Sequence, residues 1–392
     1  KIIERLERVN GPAITARLRV TDADGNTGEA RKTFFAHEDP DTLPGFPMSI
    51  GGSGEASPQL ADFDGDGVLE IVVVNGTGMA MIISGAGEVW DGFPVYSDVL
   101  DDLAEDAAAF SSGAVPLIRE AFLASPAVGD LDGDGTLEII AASITGGMYA
   151  WNDDGSLVDG FPVYTIGRAP EEFDADHTYD QGFAGAPSLY DLDDDGTLEI
   201  IAAAMDGRLY VFDGGGNSWG DYPIEVCEET LCGNSGTRII TGAAIGDVDN
   251  DGDPDIALGG NEAPQDGRYS VAHLYDARTA TEHDGWPLLE AGLVNEAVLL
   301  PLIGEGHPSS MAMADMDGDG DLEMMNPVML GTTSPVHHTG ETAVETSYYE
   351  TDFPGNGNAD VPSVIQLVTN PSFGDLDGDC LLYTSDAADE VL

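Results

Sequence analysis

The sequence predicts an all-β chain built from repeats of one small antiparallel sheet. Three observations predict it. An acidic loop, D-x-D-x-D-G-x-x-E/D, recurs and is followed each time by a short apolar run. Successive loops start 68, 61, 56, 68 and 60 residues apart. A small-residue segment precedes every loop, and an aromatic–proline corner recurs in the same phase. A repeat of this size, made of strands that cannot bury both faces alone, predicts a β-propeller in which each repeat is one blade.

The elements follow in order. Before the loops stand ASPQLADF, ASPAVGDL, GAPSLYDL, TGAAIGDV, SMAMADM and NPSFGDL, each a short first strand. After them come EIVVV, EIIAA, EIIAAA, DIALG and EMMN. These runs are apolar without alternation, rich in β-branched residues and bounded by glycine, which predicts second strands buried on both faces. A Gly-containing turn then leads to MAMIIS, GMYAWN, RLYVFD and VAHLYD, the third strands. The corner follows as GFPV at Gly92 and Gly160, DYPI at Asp221 and GWPL at Gly285. An earlier GFPM sits at Gly45 and a weaker DFPG at Asp352. Five complete blades and the start of a sixth are expected.

The loops are expected to hold a hard cation. Carboxylates at alternate positions with a turn glycine supply what Ca²⁺ needs, six to eight oxygens at about 2.3–2.6 Å. In the first loop Asp62, Asp64 and Asp66 take positions 1, 3 and 5, the Val68 carbonyl position 7 and Glu70 position 9. The second loop offers Asp130, Asp132, Asp134, Thr136 and Glu138; the third, Asp191, Asp193, Asp195, Thr197 and Glu199. The fourth offers Asp247, Asp249, Asp251, Asp253 and Asp255; the fifth, Asp315, Asp317, Asp319, Asp321 and Glu323. A sixth begins with Asp375, Asp377 and Asp379 and breaks off at Cys380. An EF-hand needs a bidentate Glu at position 12 and flanking helices. Position 12 is Val73, Ala141, Ala202, Leu258 or Asn326, so that reading fails. A lone loop of this kind reads equally well as a solvated acidic turn; five intact copies in phase do not. Ca²⁺ is favoured over Mg²⁺, which keeps its waters and suits an all-carboxylate shell poorly.

On these motifs the chain resembles the FG-GAP/VCBS repeat family, the integrin-α-type β-propellers, over residues 43–379. The resemblance implies Ca²⁺ at about one ion per blade, held on one rim by the residues just named. It also implies a partner-binding rim and a native ring of seven blades. The expected role is a non-catalytic, secreted or cell-surface scaffold that binds an extracellular protein or glycan in adhesion. The alternatives are part of a secreted polysaccharide lyase or hydrolase, or a lectin. A lyase needs a base in a central cleft, and basic residues are sparse.

The ends read differently. Residues 14–35 alternate and turn at Asp24-Gly25, a hairpin signal. They resemble the last strands of an Ig-like or PKD-like module, so a first domain is expected over 1–40 and the propeller over 41–379. Asp22, Asp24 and Asn26 lack a position-9 carboxylate and are expected to form a plain turn. Residues 380–390, CLLYTSDAADE, resemble a translated sequencing adapter, and 380–392 are expected to be foreign to the repeat.

Charge and motifs bound the function. With 73 acidic and 13 basic residues, a net charge of −60 opposes nucleic acid and anionic membranes. The apolar stretch at 293–303 is too short to span a bilayer. Cys227 and Cys232 flank CEETLC, and a local disulfide in an oxidising compartment is expected. Extracellular calcium levels favour the same location. The sequence contains no H-E-x-x-H or Walker loop. His337-His338 points to no third zinc ligand, and the acidic segment 170–181 around His177 reads as a solvated insertion. Trp90, Trp151, Trp219 and Trp286 recur in phase, which favours blade packing over a sugar platform. Residues 98–110 are expected to form a short acidic helix.

Overall fold

The fold was analysed in a computed structural model. It describes residues 13–35, 43, 45–100, 106–113, 115–166, 182–226, 239–260, 269–291, 307, 309–316, 318–325, 335–341, 373–374 and 383–384. Two compact units are distinguished: Lys1–Ser49 with Ser84–Glu88, and Ile50–Ile83 with Val89–Leu392.

In the first unit, β1 (Ala13–Thr21) pairs antiparallel with β2 (Thr27–Phe35), with Thr21 opposite Thr27. The Asp22 carboxylate closes the turn. Its Oδ1 accepts the N–H groups of Asp24 (3.0 Å) and Asn26 (2.8 Å), and its Oδ2 accepts the Asn26 side-chain amide (2.9 Å). Those donors, the Asn26 amide first, hold its pKa below the usual carboxylate value. Asp22 therefore acts as a turn former, as expected for an Asx-type hairpin connection.

The second unit is a series of antiparallel meanders. The first sheet is β3 (Gln59–Ala61), β4 (Glu70–Val74), β5 (Met79–Ile83) and β6 (Val95–Tyr96), in chain order. The second is β7 (Ala127–Gly129), β8 (Glu138–Ala142), β9 (Gly147–Trp151) and β10 (Val163–Tyr164). The third is β11 (Ser188–Tyr190), β12 (Glu199–Ala203), β13 (Arg208–Phe212) and β14 (Ile224–Glu225). The fourth holds β15 (Ala244–Gly246), β16 (Asp255–Gly260), β17 (Tyr269–Asp276) and β18 (Thr281–Glu282), with β19 (Leu288–Ala291) also on β17. A fifth holds β20 (Ala312–Ala314), β21 (Glu323–Met325) and β22 (Pro335–Val336). Short strands β23 (Phe373–Gly374) and β24 (Tyr383–Thr384) pair with each other. This is a β-propeller architecture.

The apolar runs fall where the sequence places them, and the reason is visible in the core. Alternate residues of one strand face two different neighbouring sheets. Ile200 and Ala202 pack with Ile140, Ala142, Met148 and Phe161 of the second sheet. Ile201 and Ala203, one residue on, pack with Ile256, Leu258 and Tyr275 of the fourth. Both faces are dry, so the strand shows no polar alternation. Full burial of an isoleucine such as Ile200 or Ile201 contributes about 1.5–3 kcal/mol. The third strands add stacked ring pairs, Tyr149–Trp151 at 5.4 Å and Tyr210–Phe212 at 5.8 Å between centroids. Trp151 and Trp286 are buried and Trp219 packs partly buried against the core, so the tryptophans serve packing.

Buried phenols tie the second, third and fourth sheets to the connection before each. Tyr149 Oη accepts the Asp98 N–H (3.1 Å), and Tyr210 Oη accepts the Ile166 N–H (3.0 Å). Tyr275 Oη donates to the Val226 carbonyl (2.7 Å). The aromatic–proline corners make a second tie. Gly160 has φ +100°, and a Cβ there would lie 1.9 Å from the Gly215 carbonyl oxygen, on the turn of the next sheet. Gly92 stands in the same relation to Asp154, so glycine is required twice over, by conformation and by space.

Of the acidic helix expected over 98–110, the described part is α1 (Ala108–Ser111), short and without a side-chain cap at its N-terminus. Residues 167–181, 227–238 and 375–382 lie outside the described residues, and with them His177, the Cys227–Cys232 pair and the sixth acidic loop. No helix among the described residues is long and apolar enough to cross a membrane.

Candidate metal centres

Each acidic loop closes the hairpin between the first and second strands of a sheet. The residue before position 1 is paired in the ladder with the position-9 acid: Ala61 with Glu70, Gly129 with Glu138, Tyr190 with Glu199, Gly246 with Asp255 and Ala314 with Glu323. The position-9 carboxylate therefore starts the buried strand, and its register is fixed by the sheet.

The loop backbone wraps around its first aspartate. Asp130 Oδ1 accepts the N–H groups of Gly133 (2.8 Å) and Asp134 (3.1 Å), and its Oδ2 accepts that of Gly135 (2.9 Å). Asp62 repeats the pattern with Gly65, Asp66 and Gly67 at 2.7, 3.1 and 2.8 Å. Position 5 accepts the N–H of position 7 in all five loops: Asp66 from Val68, Asp134 from Thr136, Asp195 from Thr197, Asp251 from Asp253 and Asp319 from Asp321. The position-6 glycine is left-handed throughout, from Gly67 at +84° to Gly320 at +102°. A Cβ in that region clashes with the backbone, which explains the invariance of this glycine across the five loops.

Position 9 lies beneath the loop. Glu70, Glu138, Glu199, Asp255 and Glu323 are all buried. Each accepts the N–H of position 2: Phe63 (3.0 Å), Leu131 (2.7 Å), Leu192 (2.7 Å), Val248 (3.0 Å) and Met316 (2.7 Å). Burial, reinforced by the aspartates above, pushes Glu138 and Glu199 up to about 7 and raises Asp255. At the rim the opposite holds. Hydrogen bonds from Thr136 and Thr197 lower Asp134 and Asp195.

Convergence of ligands differs from loop to loop. One oxygen from each of Asp130, Asp132 and Glu138 lies within 4.8 Å of the others, and the same holds for Asp191, Asp193 and Glu199. In the first and fourth loops the converging sets are Asp62, Asp64, Asp66 and Asp247, Asp249, Asp251. The fifth loop has Asp315, Asp319 and Glu323 described, while Asp317 is outside the described residues, as are Asp375, Asp377 and Asp379. Hard anionic oxygens crowded this closely fit a divalent cation of the Ca²⁺ class, which would offset the burial and the repulsion that raise Glu138 and Glu199.

Three histidines enter this picture in a role that the sequence did not point to. His283 Nε2 lies 2.7 Å from Asp255 Oδ1, and His337 Nδ1 lies 3.0 Å from Glu323 Oε1. His338 Nδ1 stands 3.3 Å from Asp321 Oδ2. Position 9 of the fourth and fifth loops thus has an imidazole partner. His283 comes from the segment before a corner and His337 from the end of a third strand, so no common spacing announces them. Arg278 was equally hidden. From the turn after β17 it pairs with Asp194 (2.7 Å) and Asp253.

Part of the chain matches a known family: residues 191–258, from the third acidic loop through the fourth, match the FG-GAP-like repeat. No curated protein matches the chain in sequence. Solved structures with a similar fold include the Vibrio cholerae biofilm matrix protein Bap1, at 18% identity and a TM-score of 0.40 over 73% of this chain and 38% of that one. BamB from Moraxella catarrhalis is 12% identical with a TM-score of 0.42, covering 75% and 62%. The Pseudomonas aeruginosa PilY1 C-terminal domain is 12% identical with a TM-score of 0.44, covering 85% and 79%. The chain spans less than two thirds of the Bap1 and BamB chains.

Proposed function

We propose that this chain is a non-catalytic, calcium-loaded β-propeller scaffold that presents a rim to an extracellular protein or glycan. The observation that carries the reading is the convergence of three carboxylates within 4.8 Å in each of four loops. In the second and third loops one member of the set is a buried glutamate held up near 7. Like charges crowded onto a buried carboxylate are costly unless a counter-ion joins them. The FG-GAP-like repeat supports the same reading. In this role Asp130, Asp132 and Glu138, and their counterparts in the other loops, hold the ion. The ion fastens the hairpin between the first and second strands and so stiffens one end of each sheet. The net charge of −60 favours solubility and fits partners that are neutral or basic. Secretion follows as part of the proposal, because loops of modest affinity fill at extracellular calcium levels.

The test is a calcium titration of the full chain by calorimetry, paired with thermal melts in calcium and in EGTA. At calcium about a hundred times the dissociation constant, each occupied site adds about 2.7 kcal/mol. The melting temperature is expected to rise well clear of the EGTA value. Identical melts would refute the calcium reading.

A further inference from the structure

We infer that Arg278 couples cation occupancy of the third acidic loop to that of the fourth. This inference rests on the calcium reading above. The acidic loops of neighbouring sheets adjoin: a Cβ on Gly133 of the second loop would lie 3.6 Å from the Gly196 carbonyl oxygen of the third, and one on Gly320 of the fifth would lie 3.0 Å from Asn250 Nδ2 of the fourth. Between the third and fourth loops both facing residues are acidic, Asp194 and Asp253, and Arg278 stands between them. Its Nη2 donates to Asp194 Oδ2 (2.7 Å), its Nη1 to Asp253 Oδ1, and its Nε to the Leu192 carbonyl (2.5 Å).

Each of these contacts falls beside a ligand position. Leu192 lies between Asp191 and Asp193, and its own N–H donates to Glu199 Oε2 (2.7 Å). Arg278 therefore fixes the peptide that joins positions 1 and 3 of the third loop and bonds its position 9. Asp253 is position 7 of the fourth loop, the position expected to offer its carbonyl to the ion. One planar guanidinium thus sets the shape of both loops, and its fork geometry is rigid.

Position 4 is left-handed in all five loops: a glycine in the first, second and fifth, Gly65, Gly133 and Gly318, Asp194 at φ +60° in the third and Asn250 at φ +56° in the fourth. Asp and Asn tolerate this conformation, and in the third loop the residue that takes it is the one paired with Arg278. With the third loop ordered around an ion, Asp194 and Leu192 are held in place, Arg278 is held by them, and Asp253 arrives positioned. Arg278 is accordingly a positioning residue, not a ligand.

The test uses the full chain and site-specific readouts. The Gly196 and Gly252 amides donate to Asp191 Oδ2 (2.9 Å) and Asp247 Oδ2 (3.0 Å), so their NMR resonances report the third and fourth loops separately. Calcium is titrated into the wild type, Asp193→Asn, Arg278→Gln and the double variant. Asp193→Asn empties the third loop, and in the wild-type background it is expected to weaken calcium at the fourth about 5-fold or more. In the Arg278→Gln background only the smaller through-space effect of one lost charge should remain. Asp194→Gly installs the glycine of the first, second and fifth loops and removes the partner of Arg278. It should fold, bind at both loops and show the same loss of coupling. An Asp193→Asn effect on the fourth loop of equal size with and without Arg278 would overturn the inference and leave the calcium reading intact. No calcium-dependent shift at either amide in the wild type would overturn both.

Discussion

Replacing Glu199 by glutamine should change the sign of its effect with calcium. Glu199 is 2% exposed, accepts a hydrogen bond from the Leu192 N–H, and sits beneath Asp191, Asp193 and Asp195. Glutamine keeps the acceptor oxygen, nearly the same volume and no charge. At about 1.4 kcal/mol per pH unit, the rise of this carboxyl from 4.5 to about 7 amounts to about 3 kcal/mol at pH 8. Water on the open side of the loop reduces that to about 1–2 kcal/mol. Without calcium, Glu199→Gln should therefore stabilise the fold by about 1–2 kcal/mol. With calcium at about a hundred times the wild-type dissociation constant, the wild type gains about 2.7 kcal/mol from this site, and the variant, short of one anionic ligand, loses most of it. The net effect in calcium is a destabilisation of about 1 kcal/mol. Urea denaturation followed by tryptophan fluorescence, in EGTA and in calcium, measures both arms. An equal effect in the two media, of either sign, would mean that Glu199 takes no part in holding calcium, and the reasoning would fail.

Three further outcomes are expected. In EGTA, the raised carboxyls of Glu138 and Glu199, at about 7, and of Asp255 bind protons more readily folded than unfolded, so stability should fall as pH rises from about 4.5 to about 7. In calcium the same groups must be ionised, so binding should tighten over that window; melts at a series of pH values check both slopes. Gly160→Ala should cost about 2–4 kcal/mol, because its Cβ meets the Gly215 carbonyl at 1.9 Å, while Gly220→Ala, left-handed but in open space, should cost about 1 kcal/mol. Equal costs in urea denaturation would show that the corner does not press on the next sheet. Tyr210→Phe removes the hydroxyl that accepts from Ile166 and donates to Asp206 (2.6 Å), at an expected cost of about 1–3 kcal/mol. A neutral result would mean that water replaces it at both partners.

Much of this protein is legible in one dimension because its repeat is local. The hairpin that carries each loop is closed by neighbours in sequence. The wrap of Gly133, Asp134 and Gly135 around Asp130 needs only the loop itself. The spacing D-x-D-x-D-G therefore determined the left-handed glycine, the turn and the buried strand that follows. The unbroken apolar runs determined that strands such as β12 would be covered on both sides, although not by which partners. Ile200 and Ile201 look alike in the sequence, and only the stacking of sheets sends one to the second sheet and the other to the fourth.

What the tertiary structure decided is how the loops differ. Read along the chain, five loops are nearly equivalent. Folded, the second and third gather a buried glutamate into the converging set, while the fourth and fifth meet it with a histidine. His283 and His337 come from different parts of their repeats, and Arg278 crosses from one sheet to the loop of another. Such contacts follow no sequence period, because they depend on how two separately determined hairpins are set side by side. The ligand types came from local chemistry, and the linkage between one site and the next came from packing.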